Sequence, residues 1–285
     1  MRKRILLAIL AIGIIVGAGI FLYQDYYTLK EADLILFMGQ SNMSGAGGNA
    51  EEAPELIKGA GYEYRAITQP EELCVLTEPF GKNEHKEGYL DDRSLIPRGG
   101  SMVTAFVNAY YEQTTERVVA VSASRGSAQI SSFNNYLVED VIERLENAKR
   151  VMTQEKVNIR HIYMVWLQGE TDAYLETPKE QYIGGMQQLL HTLQPYGVEK
   201  CFVIQIGNGI CDGEAFDAAT MQQIQEELCE TDDNFVLIST LAKTLSEPPY
   251  MEDGIHFTQQ GLNLLGADAG QHMGNYVNTI VEGRD

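Results

Sequence analysis

The chain has 285 residues, 44% hydrophobic and 21% charged, with a formal net charge of −19. This composition excludes a disordered polymer, and the acidic excess, read as solvated surface, excludes nucleic acid or another anionic polymer as a partner. The length suits one large α/β domain or two small ones.

In chain order, Arg2, Lys3 and Arg4 precede an apolar run from Ile5 to Tyr23 that contains no charge and no proline. A run of that length spans a hydrocarbon core as a helix, and the basic cluster ahead of it favours a cytoplasmic N-terminus. The expectation is an N-terminal hydrophobic helix within residues 1–28, a signal-anchor that tethers an extracytoplasmic domain over residues 29–285 to the membrane. Val16-Gly17-Ala18 also suits signal cleavage, so secretion is the alternative. A buried core helix is disfavoured because the run has no polar face.

Beyond Gln24, apolar or β-branched runs alternate with segments of helical period. The runs Leu34 to Met38, Val118 to Ser122, His161 to Trp166, Cys201 to Ile206 and Phe235 to Ile238 read as strands buried on both faces. Between and after them, Met102 to Tyr110, Val138 to Met152, Tyr182 to Leu193, Met221 to Leu228 and Leu262 to Val281 repeat apolar residues at helical spacing. Strand followed by helix, repeated, predicts a parallel sheet between helical layers.

The stretch from Gly45 to Gly100 breaks that rhythm. It is rich in turn formers, with short strands expected at Tyr62 to Ile67 and Leu73 to Leu76. An insertion of this size in an α/β domain is usually functional or a binding surface rather than filler. Cys74, Cys201, Cys211 and Cys229 could form up to two disulfides in an exported chain, although a domain this large does not need them.

In open parallel sheets, ligands sit beyond the carboxyl ends of the strands. Here those positions are polar: Gly39, Gln40, Ser41 and Asn42 after the first strand, Ser124 to Ser127 after the second, and Gln168 to Asp172 after the third. A serine hydroxyl needs a base, and the base needs a carboxylate to fix its tautomer. Asp253 and His256, three residues apart in "MEDGIHFTQQG", suit both roles, and activity should then rise with pH as His256 loses its proton. The competing reading of Ser41 is an N-cap in a glycine-rich turn. For an oxyanion, the backbone N–H groups of Ser41 and Gly126 and the side-chain amide of Gln168 are candidate donors.

Together, "GQSNMSG", "ASRGSA", "WLQGETDA" and "DGIHF" resemble, in order, the blocks of the SGNH hydrolases, and specifically the sialate O-acetylesterase-like carbohydrate esterases. The resemblance covers most of residues 34–275. It implies a three-layer α/β/α flavodoxin-like fold with a central parallel sheet, and a serine esterase that removes O-acetyl groups from carbohydrate through an acyl-serine, with no metal and no cofactor. It matches Ser41 to the nucleophile, His256 to the base, Asp253 to the carboxylate, and Gly126 and Gln168 to the oxyanion hole. Arg125 replaces a glycine of the family pattern, and Leu167 stands where similar enzymes often carry histidine, which bears on substrate choice.

Gln40 and Asn42 are expected to fix the nucleophile turn, and Glu170 to hold the Gln168 loop in place. Arg125 suits a carboxylated sugar or a solvent-facing role equally. Trp166 reads as core. Three alternatives stay open: an SGNH lipase or thioesterase, an acyltransferase, and a catalytically silent carbohydrate-binding protein.

Overall fold

The computed structural model describes residues 29–84, 98–211 and 213–282. The hydrophobic helix expected within residues 1–28 lies outside them. Among the described residues, no helix is long and apolar enough to cross a membrane. The chain divides into two units after Lys30, and the elements that follow belong to the second, Glu31–Asp285.

Its first strand, β1 (Glu31–Gly39), is buried at every position after Glu31. This accounts for its unbroken apolar sequence, since a central strand with helices on both faces has no solvent side. A short helix, α1 (Ser41–Ser44), follows at once. The insertion then contributes β2 (Gly61–Arg65) and β3 (Gln69–Val75). Next come α2 (Val103–Thr114) and β4 (Val118–Ser124). A helical turn at Ile130–Ser132 and a π-helical turn at Phe133–Leu137 lead into α3 (Val138–Gln154).

The second half holds β5 (Asn158–Leu167), α4 (Glu170–Tyr174), α5 (Lys179–Leu193) and β6 (Lys200–Ile204). A small ribbon of β7 (Ile210–Cys211) and β8 (Glu214–Ala215) precedes α6 (Ala218–Thr231), β9 (Phe235–Ser239) and α7 (Gln259–Glu282). Each of the five main strands and five helices expected from periodicity corresponds to an observed element, with boundaries moved by a few residues.

The seven-stranded sheet has the order β3-β2-β4-β1-β5-β6-β9. Leaving aside the β2–β3 edge, this is the doubly wound order 2-1-3-4-5 of flavodoxin-like folds. The expectation of a parallel sheet needs one correction: β3 runs antiparallel to β2. Only three residues separate these two strands, and a connection that short closes a hairpin but cannot make the long crossover a parallel pair requires. The insertion therefore does structural work, widening the sheet at the β4 edge.

Ile35, Phe37, Tyr163, Val165 and Phe202 point to one face and join Phe106, Leu265 and Met273 in a common core. There α7 lies close against α2: a Cβ on Gly270 would stand 2.2 Å from the Phe106 carbonyl oxygen. On the opposite face, Trp166 meets Phe133 edge-on with ring centroids 4.8 Å apart. Its indole N–H reaches the Tyr182 hydroxyl at 3.3 Å. Trp166 is therefore core, and burying an aromatic side chain of this kind is worth about 3 kcal/mol.

Cys74, Cys201 and Cys229 are free thiols, so the two disulfides that the sequence permits are not formed. Burial pushes the Cys201 thiol well above its ordinary value and Cys229 up to about 12, which makes both poor nucleophiles.

Candidate active site

Gly39 pairs with Ser124 of β4 on one side and with Leu167 of β5 on the other. The three strands thus end level, and the residues just after them share one rim at the point where the strand order reverses. Gly39 has φ +145°, and a Cβ there would lie 1.9 Å from the Leu167 carbonyl oxygen. Without a side chain the backbone comes close enough for Gln40 N–H to reach that same oxygen at 3.0 Å. On the other flank, Arg125 N–H donates to Gly39 O at 2.7 Å, and the Ser44 hydroxyl meets that of Ser124 at 3.0 Å. These bonds draw the turn that carries Gly126 onto the β1–α1 corner.

Ser41 opens α1 and is almost wholly buried. Its Oγ lies 2.9 Å from His256 Nε2. The other ring nitrogen, Nδ1, lies 2.7 Å from Asp253 Oδ2. Asp253 and His256 sit in a tight loop closed by pairing of Met251 with Phe257 and by a 2.8 Å bond from Glu252 N–H to His256 O. Phe257, fully buried, anchors the loop to the core.

Asp253 Oδ1 accepts the backbone N–H groups of His256 at 2.9 Å and Ile255 at 3.1 Å. Partial burial raises the Asp253 pKa, but the His256 ring and these two N–H groups outweigh it and hold the carboxyl below its ordinary range. Asp253 is thus an anion fixed against Nδ1, which leaves Nε2 to face the serine. Glu252 enters this arrangement through its backbone.

Asn42 acts across the chain rather than within its own turn. Its Nδ2 donates to Glu170 Oε1 at 2.8 Å and to Ile255 O at 3.0 Å, and its Oδ1 accepts Phe257 N–H at 3.1 Å. One amide therefore grips the backbone on both sides of His256. Gln40 does the equivalent for the β5 loop, its Oε1 accepting the N–H groups of Gly169 at 3.3 Å and Thr171 at 3.2 Å. Glu170 is fully enclosed, and burial raises its pKa against the opposing pull of Asn42, its own backbone N–H and His256. Its Oε2 has no partner among the described residues.

Gln168 departs from expectation. Its amide nitrogen donates to Ala128 O at 3.0 Å and, by a short bond, to Asp172 Oδ2. Both N–H bonds are spent, so in this conformation the side chain has none to offer an oxyanion. Asp172 captures it from four residues on, and also accepts Ile130 N–H at 2.9 Å. Neither Ser41 N–H nor Gly126 N–H is used by another group among the described residues, and these two backbone donors remain for a developing negative charge. Arg125 is 8% exposed, which removes the solvent-facing reading. Sequence reasoning did not single out Arg98, which is buried against the end of β4 and donates to Ser124 O at 3.1 Å; nothing in "IPRGG" marks it.

Among the described residues, no group of three or more His, Cys, Asp or Glu is placed to hold a metal ion. The chemistry that the geometry offers is proton transfer from a buried hydroxyl to an oriented imidazole, beside two backbone N–H donors. Such a site, on the rim of a doubly wound sheet, is that of an ester hydrolase.

Residues 31–275 match the family model described as "Carbohydrate esterase, sialic acid-specific acetylesterase", and the chain belongs to that family. It is a carboxylic ester hydrolase of the carbohydrate-esterase type. Among solved structures, the fold is similar to that of an Arabidopsis thaliana protein, at 19% identity over 86% of this chain and 99% of that one, with a TM-score of 0.62. It is similar also to NanS, at 10% identity over 90% of this chain and 99% of that one, with a TM-score of 0.58. A third is XAC1771, a carbohydrate acetylesterase from Xanthomonas citri, at 13% identity over 85% and 57% of the two chains, with a TM-score of 0.51. At these identities the likeness is one of fold. No curated protein matches the sequence.

Proposed function

We propose that this chain is an extracytoplasmic serine esterase, tethered by its N-terminal segment, that removes O-acetyl groups from carbohydrate through an acetyl-Ser41 intermediate. The observation that carries the mechanism is the unbroken contact series from Asp253 through His256 to Ser41, at 2.7 and 2.9 Å. The tether rests on the sequence of residues 1–23 alone.

His256 Nε2 takes the Ser41 proton as Oγ attacks the acetyl carbonyl carbon. The carbonyl oxygen becomes an oxyanion, which the N–H groups of Ser41 and Gly126 stabilise. Collapse of the tetrahedral intermediate breaks the bond to the sugar oxygen, which leaves with the proton held on His256. Water then gives a proton to the same nitrogen and adds to the acetyl carbon. A second collapse releases acetate and returns the proton to Ser41. Asp253 stays ionised throughout and stabilises the imidazolium. Gln168, its amide engaged, positions the β5 loop and does not bind the oxyanion.

The test is Ser41→Ala against an O-acetylated sugar and p-nitrophenyl acetate, together with fluorophosphonate labelling of the wild-type chain. Loss of turnover and labelling at Ser41 are expected; retained turnover would sink the mechanism. Comparing acetyl with long acyl esters, and adding a sugar acceptor, separates an acetylesterase from a lipase-like hydrolase or an acyltransferase.

A further inference from the structure

Three large apolar side chains, Tyr174, Leu175 and Ile210, are exposed on the segments that follow β5 and β6, on one side of Ser41 along the sheet. Tyr174 and Leu175 end α4, which opens with Glu170, the partner of Asn42 at 2.8 Å. Residues four apart share a helix face, so Tyr174 stands one turn out from the carboxyl that holds the serine corner. Ile210 opens β7. Its N–H donates to Gly254 O at 2.9 Å, and a Cβ on Gly254 would meet Ile210 Cβ at 3.6 Å. The ribbon thus leans on the loop that carries Asp253 and His256.

Beside these side chains a groove opens between the α4–α5 turn and the start of α6. Ala173, Met221 and Ile224 give it an apolar lining, while Glu176, Thr177 and Asp217 bring oxygen atoms to it. Apolar residues scattered singly over a surface are ordinary, but apolar residues gathered next to a reactive rim, with polar groups converging on them, mark a binding surface.

A sugar matches that mixture. The C–H groups of its ring face pack against tyrosyl and aliphatic side chains, and the hydroxyls at its edge donate to carboxylate and hydroxyl oxygens. A long acyl chain would instead leave those oxygens desolvated and unpaired. Distance decides which ring sits there. In the sheet, β6 lies two strand spacings from β1, roughly 10 Å, which is longer than one pyranose ring. The ring whose acetyl group meets Ser41 does not span that distance, whereas its neighbour in a chain does. We propose that the groove between α4 and α6, flanked by Tyr174, Leu175 and Ile210, is a subsite for the sugar residue next to the acetylated one, so that the substrate is an oligo- or polysaccharide and not a free monosaccharide. This rests on the reading of the chain as a carbohydrate O-acetylesterase.

The experiment measures kcat/KM on singly O-acetylated cello- and chito-oligosaccharides of increasing length, from the monosaccharide upward, beside p-nitrophenyl acetate, which has no sugar. A rise of about tenfold from one sugar to two is expected, and Tyr174→Ala is expected to remove most of it. Rates independent of length in both series overturn the subsite and leave the esterase reading in place. A rise that survives in both Tyr174→Ala and Leu175→Ser also overturns it. Turnover of p-nitrophenyl acetate without hydrolysis of any acetylated sugar overturns the carbohydrate reading itself, and the subsite with it. If Tyr174→Ala does not fold, Leu175→Ser and the length series on the unmodified chain decide the matter.

Discussion

Asn42 Nδ2 stands 2.8 Å from Glu170 Oε1, so the residue next to Ser41 is held by a carboxyl from the loop after β5. The same amide bonds the backbone at Ile255 and Phe257, on either side of His256. One side chain thereby joins the serine, histidine and β5 loops, and Glu170 orients that side chain.

Asn42→Ala removes this brace while leaving Ser41, His256 and Asp253 chemically intact. The expected outcome is a fall in kcat of about 10²-fold, the effect of an ångström-scale misplacement of reacting groups, with KM little changed. Steady-state kinetics on an acetylated sugar measure it. A KM effect without a kcat effect would show that Asn42 contacts substrate instead.

Asp253→Asn keeps the shape of the carboxyl but loses its charge, and an amide can present the wrong group to Nδ1. Loss of kcat by about 10³- to 10⁴-fold is expected, with the fold intact by circular dichroism. Because interactions with His256 and two backbone N–H groups depress the Asp253 pKa, the folded state favours the ionised form. Its contribution to stability is complete above the unfolded carboxylate value of about 3.9 and fades as the pH falls through the lower folded value. Denaturation midpoints of the Asp253→Asn variant should therefore show a weaker acid-side decline.

Glu63 gives the opposite sign. Burial, countered in part by its bond to Arg65, raises its pKa to about 7. Between the ordinary carboxylate value and that point, the folded chain holds a proton that the unfolded chain has lost. Stability therefore falls as the pH rises across this window and levels off above it. Glu63→Gln should flatten that slope in urea titrations run across the window from mildly acidic to neutral pH; an unchanged slope would assign the dependence to another group.

Gly39→Ala sets a methyl group against the Leu167 carbonyl oxygen at a φ that L-residues rarely adopt. Destabilisation by about 3 kcal/mol or more is expected, measured as a lower midpoint in chemical denaturation, with activity lost because the corner before Ser41 must shift.

How much of this was legible in the chain depended on the kind of force involved. Strands such as Leu34 to Met38 announced themselves because burial on both faces leaves only apolar residues. Ser41, His256 and Asp253 were legible as a candidate set because acyl transfer demands a hydroxyl, an imidazole and a carboxylate, and only one histidine has an aspartate three residues before it. Where Gln168 spends its amide donors was not legible, because they are claimed by neighbours such as Ala128, which no local pattern predicts. The edge hairpin was anticipated as two short strands, but not their place or direction, since register depends on β4, far along the chain. Arg98 carried no signal because its burial arises from packing between distant segments.

Ser41 follows the first strand, while His256 lies 215 residues later, just ahead of the last helix. In the proposed mechanism the serine therefore has no base until nearly the whole domain has been synthesised and folded. A chain cut short, stalled on the ribosome or partly unfolded is then expected to be silent toward esters. Hydrolysis rate can then serve as a direct readout of native chain ends coming together, and loss of activity on heating or proteolysis should track global unfolding rather than local damage near the serine.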